Sequence, residues 1–127
     1  MSKSIPRISI TLPNGAAAEV LSNAITVQGN TGVYQGVIIL LKVVTPNFTN
    51  AITVRVAVYD ANGIQKFLSD ALAENSGAAG RAVYPAWPGI PIESGEYIGV
   101  TPSGDPGAGG GIVTVDMEFV PDAHMRI

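Results

Sequence analysis

The groups in this chain that could move protons, attack or bind metal are few, and their spacing suits little chemistry. The sole imidazole is His124, close to the C-terminal residue. Terminal side chains are seldom held with the precision that proton transfer needs, so His124 reads as a tail residue rather than a base. Asp116 and Glu118 lie two apart on one face of a strand, as a carboxylate pair for glycoside hydrolysis would. The same spacing describes the solvated face of an amphipathic strand whose other face is Val115, Met117 and Phe119, and that simpler reading is adopted. Asp60 and Asn62 carry calcium-type oxygens, but Asp60-Ala61-Asn62-Gly63 lacks the later glutamate of a helix-loop-helix calcium site. Turn formation accounts for it. The glycine-rich residues 104–111 resemble a phosphate cradle in composition, yet no Lys-Ser or Lys-Thr follows and the next element is a strand, which predicts a flexible rim loop instead. There is no cysteine, which removes disulfides, thiolate ligands and thiol nucleophiles together. The expectation is a protein that is not an enzyme, with no cofactor and no metal.

Surface chemistry is the alternative to reactive chemistry. Tyr84-Pro85-Ala86-Trp87-Pro88 sets two aromatic rings on a proline-stiffened segment, which offers contact area at low entropic cost. Three roles fit Tyr84 and Trp87: plugging the core, touching another protein, or stacking on a sugar ring. Seven basic and ten acidic residues give a net charge of −3. Lys3, Arg7, Lys42, Arg55, Lys66, Arg81 and Arg126 are scattered, which disfavours nucleic acid as a partner. The apolar run at residues 37–41 is far too short to span a bilayer, so no membrane is expected. Residues 1–7 lead into polar alternation, not into the apolar segment of a secretory leader. Apolar residues make up 46% of the chain and charged residues 13%. That balance fits a surface partly covered by a partner, and it fits equally a glycine- and alanine-rich β domain.

The elements that position these groups are strands. At residues 52–59, Ile52, Val54, Val56 and Val58 alternate with Thr53, Arg55, Ala57 and Tyr59, and Asn62-Gly63 follows as a reversal. Side chains in a strand alternate faces, so this is a half-buried strand that presents Arg55 and Tyr59 outward and then turns back. Residues 7–12 and 111–120 show the same alternation, residues 19–28 read as extended, and residues 64–68, 81–87 and 96–101 read as short strands. Residues 35–44 are apolar on both parities, which predicts a central strand covered on both faces. Residues 69–80 have helical flavour limited to about one turn, and residues 88–91 read as a rigid proline connection. The sum is one domain over residues 1–127: an all-β antiparallel sandwich of about eight strands, a jelly roll, with arms at about 1–6 and 121–127.

Several stretches carry a family likeness: Thr31-Gly32-Val33-Tyr34-Gln35-Gly36-Val37, Val56-Ala57-Val58-Tyr59-Asp60-Ala61-Asn62-Gly63, Ser69-Asp70-Ala71-Leu72-Ala73-Glu74-Asn75, Gly95-Glu96-Tyr97, Ser103-Gly104-Asp105-Pro106-Gly107 and Val113-Thr114-Val115. Together they resemble the small virion-associated β-domain proteins of tailed bacteriophages. The resemblance implies a capsid decoration or cement protein on the capsid exterior, bound to the major capsid protein and to copies of itself as a homotrimer. Arms carrying Met1, Ile5, His124 and Ile127 would then join Tyr84, Trp87, Arg55 and Tyr59 as partner contacts. A carbohydrate-binding or host-recognition module, with Tyr84 and Trp87 as stacking platform, is the second expectation.

Overall fold

Alternation of apolar and polar residues produces the strands, and their pairing produces two sheets. The computed structural model describes residues 3–4, 7–15, 17–25, 34–86, 89–93 and 95–121. Within them lie no helix and eleven strands: β1 (Lys3–Ser4), β2 (Ile8–Leu12), β3 (Val20–Leu21), β4 (Tyr34–Val44), β5 (Thr53–Tyr59), β6 (Gln65–Leu68), β7 (Leu72–Ala73), β8 (Arg81–Val83), β9 (Ile90–Glu93), β10 (Tyr97–Pro102) and β11 (Gly111–Pro121). The excess over eight comes from β1 and β7, of two residues each, and from β9, which starts where a connection is expected; β3 lies within the extended residues 19–28. β1 takes Lys3 and Ser4 of the expected N-terminal arm into pairing with Phe119 and Glu118.

Sheet A runs from β1 and β2 through β11 and β4 to β8 and β9, and sheet B runs β3, β10, β5, then β6 and β7. Every pairing is antiparallel; β2 with β11, β3 with β10, β4 with β8 and β9, and β5 with β6 are nested in sequence, and β11 with β4 and β10 with β5 join these pairs within each sheet. The two sheets enclose Leu12, Ile38, Leu41, Val43, Val54, Val56, Val58, Ile92, Ile98, Val100, Val113 and Val115 in one core. Burying each such side chain contributes roughly 1.5–3 kcal/mol, and with no cysteine in the chain no disulfide adds to it.

Several local expectations are corrected. β4 is covered on one face only. Its register against β11 slips between Glu118 and Phe119, so that Glu118 faces Leu40, Phe119 faces Ile38, and Ile39 is the extra residue. A bulge inverts which parity faces the core. Ile38 before it and Leu41 and Val43 after it are buried, whereas Ile39 is 40% exposed. The doubly apolar run therefore records a bulge and a partly apolar outer face, not a strand covered on both sides.

Residues 69–80 form no helical turn, and β7 pairs with β5 there. The Ala73 and Glu74 carbonyls, which a helix would use internally, accept hydrogen bonds from Arg81, and the Glu74 carboxylate accepts one from the Phe48 N–H. Residues 90–91, read as part of a connection, belong to β9. Proline is tolerated because β9 is an edge strand bonded only to β4.

The rim loop after β10 is braced, contrary to the flexible reading. Asp105 Oδ1 accepts the N–H groups of Gly15 and Gly107 at 2.7 and 2.9 Å, and Asn50 Nδ2 donates to the Asp105 carbonyl. These bonds, Gly107's first, hold the Asp105 carboxyl below the ordinary aspartate range. A depressed folded pKa gives stability that is present above the unfolded value of about 3.9 and is lost as pH falls through the folded value. Asp105→Asn is expected to lower the melting temperature at pH 7, with the gap to wild type closing in scans below about pH 4.

Gly110 makes the close approach at that end of the sandwich. Its φ is +57°, and a Cβ there would overlap the Leu12 carbonyl. Gly110→Ala is expected to cost about 1–3 kcal/mol, read as a lower urea midpoint with unchanged slope.

Candidate functional site

With the core filled, what the molecule can present is its outer faces and its two open edges. On sheet B the registers align transverse rows. Leu21, Gly99, Ala57 and Leu68 form one row, and Tyr97, Tyr59 and Gln65 form the next. Gly99 is needed because a Cβ would lie 2.9 Å from the Tyr59 ring. Glycine in a central strand weakens it, and here Tyr59 covers the gap. The Tyr59 hydroxyl donates to Glu19 Oε2 at 2.5 Å, and the ring stacks on Tyr97 with centroids 5.3 Å apart. The bond to Glu19, followed by burial, raises the Tyr59 phenol above the ordinary tyrosine range, and a hydrogen bond from Gln65 opposes this. Arg55 stands exposed on the same face, and Leu21 and Leu68 are 52% and 43% exposed.

On sheet A the outer face carries a charge row across the strands. Arg7 holds Asp116 through two hydrogen bonds, at 2.8 and 2.9 Å, and Asp116 is in register with Lys42. Asp116 and Glu118 do share the solvated face of β11, as the strand pattern predicts. Ile112 and Ile39 are exposed to either side of this row, with Leu40 and Val44 half-exposed.

The two edges differ. At one, the half-buried Lys66 ammonium bridges the buried Glu96 carboxylate of sheet B and the Pro91 carbonyl of β9, which ties the sheets together. At the other, β2 and β3 border an open groove of about 550 Å³ with Ile8, Ile10, Val20 and Ile25 among its lining residues.

Of the residues singled out in the sequence, Tyr84 is exposed beside β8, on the far side of sheet A from β2, whereas Arg55 and Tyr59 belong to sheet B. The structure therefore does not bring these three onto one face. Trp87, Met1, Ile5, His124 and Ile127 lie outside the described residues. Asp60 is a turn residue: its Oδ1 accepts the N–H groups of Asn62 and Ile64. The Glu19–Tyr59–Tyr97 group and the Lys66–Glu96–Pro91 bridge were not foreseen, and no local pattern announces them. Among the described residues no three His, Cys, Asp or Glu side chains gather as a metal site requires, and no helix is long and apolar enough to cross a membrane. The chain matches no protein-family model, no curated protein and no solved structure.

Proposed function

We propose that this domain is a non-enzymatic structural protein of a virion, a capsid decoration or cement protein that binds the outer capsid lattice. The observation that carries this reading is the placement of exposed apolar side chains in register on the outer faces of a well-braced scaffold. Leu21 and Leu68 share a row on sheet B, and Ile39 and Ile112 flank the charge row of sheet A. Apolar surface organised in this way favours burial against a partner. The nested strand pairing supports a jelly-roll scaffold, a rolled antiparallel architecture recurrent in capsid proteins. The partners on this reading are the major capsid protein and further copies of the chain, grouped as a homotrimer about a symmetry axis.

Co-sedimentation tests it. Purified protein added to capsids that lack it should pellet with them in saturable amounts and raise their dissociation temperature. Protein that stays in the supernatant at every capsid concentration overturns the reading.

A carbohydrate-binding module is the second reading, favoured by one observation: the Tyr59–Tyr97 aromatic pair with the Glu19 carboxylate as acceptor at its rim. Aromatic faces with a nearby polar acceptor suit a sugar ring. A glycan-array signal that disappears in Tyr59→Ala would favour the module over the cement protein.

A further inference from the structure

The outer face of sheet A carries two charged groups of opposite sign that no described residue pairs. Leu40 and Lys42 are two apart on β4, Glu118 and Asp116 are two apart on β11, and the register sets Leu40 opposite Glu118 and Lys42 opposite Asp116. The four residues are the corners of one rectangle. Asp116 is neutralised by Arg7. Lys42 and Glu118, on the other diagonal, have no hydrogen-bond or ion-pair partner among the described residues. The Lys42 stem leans toward Gly80, whose added Cβ would lie 3.0 Å from Lys42 Cγ, and so away from Glu118. Inside the rectangle is a dimple of about 150 Å³ lined by Leu40, Lys42, Asp116, Met117 and Glu118, and beside it Ile39 projects from the bulge, 40% exposed.

The geometry points to a second copy of this chain as the occupant of this face, docked across a two-fold axis along the Leu40–Asp116 diagonal. In a two-fold contact each patch must complement itself, with residue i meeting j and j meeting i. This axis brings the Lys42 corner of one copy near the Glu118 corner of the other, twice, within reach of their side chains. It brings Leu40 against its own counterpart, and it places on the axis the one carboxylate that already has a cation. The protruding Ile39 side chains pack beside the paired dimples and exclude water from the two ion pairs, which strengthens them. A partner of uniform charge would leave either Lys42 or Glu118 facing like charge, whereas a second copy meets each with its opposite. The contact is separate from any three-fold grouping on a capsid and does not depend on the virion reading.

Charge reversal and mixing test it on the free protein. The wild-type chain should sediment at roughly twice 13.1 kDa at high micromolar concentration. Lys42→Glu alone and Glu118→Lys alone should each weaken self-association by about tenfold or more, because each places two like-charge pairs in the contact. An equimolar mixture of the two variants should restore the dimer as a heterodimer. The carboxylate introduced by Lys42→Glu then meets the ammonium introduced by Glu118→Lys at one site, and the unaltered Lys42 and Glu118 meet at the other. That rescue also shows that both variants fold. A wild-type chain that stays monomeric, association indifferent to both reversals, or a mixture that remains monomeric overturns the proposal. If the two-fold contact passes and capsid binding fails, the virion reading falls alone.

Discussion

Replacing Val56 with aspartate is expected to abolish cooperative folding. Val56 is 0% exposed between the sheets, in register with Val100 of β10, and its N–H and carbonyl are both taken by Ser69. A carboxylate there has no cation within the core and no access to water. Burying an unpaired charge costs several kcal/mol even after relaxation, and a domain of this size has only about 5–15 kcal/mol to lose. Circular dichroism and a urea titration read the outcome. The adjacent position is the control: Arg55 is exposed, and Arg55→Asp should shift stability by no more than about 0.5 kcal/mol. A Val56→Asp protein that melts cooperatively at the wild-type temperature would show that the core lies on the other parity of β5.

Removing the cation at the β6 edge should have the next largest effect. Lys66 is the extra residue where the β5–β6 register slips between Val58 and Tyr59, and a bulge re-aims a side chain that regular pairing would send elsewhere. Its ammonium meets both Glu96 oxygens, at 2.8 and 3.0 Å, and the Pro91 carbonyl of the opposite sheet. Lys66→Met takes the ammonium from a carboxylate that is 3% exposed, and breaking such a pair costs about 3–5 kcal/mol. The pair as a whole is worth less than that, because both charges were desolvated to form it. Lys66→Met combined with Glu96→Leu should therefore recover much of the loss, and the coupling is read from a double-mutant cycle of urea midpoints. A single-variant cost under about 1 kcal/mol, with no coupling, would show that water satisfies Glu96 as well as Lys66 does.

What could be read from the residues follows the range of the physics involved. Alternation is a local property, so β2, β5 and β11, with Ile10, Leu12, Val54, Val56, Val58, Val113 and Val115 turned inward, were legible. So was the reversal at Asp60, whose carboxylate caps its own turn. β9 was hidden by Pro91, which argues against a strand until an edge position is known to excuse it. The bulge at Ile39 was hidden because an apolar residue on the wrong parity looks the same as one facing a second covered surface. The helical flavour of residues 69–80 yielded to Arg81, which captures the carbonyls from outside the segment.

By itself the sequence determined that the chain makes antiparallel strands, where most of them run, which side chains they turn toward the interior, and that reactive groups in catalytic spacing are scarce. Only the tertiary structure decided which strands are neighbours, and so that Glu19 meets Tyr59, that Lys66 meets Glu96, and that Lys42 and Glu118 share a face without meeting. The reason is physical. A strand's period tells which way each side chain points relative to its own sheet. Who stands beside it depends on registers and bulges set by many weak contacts between residues far apart in the chain, and no local pattern carries that information.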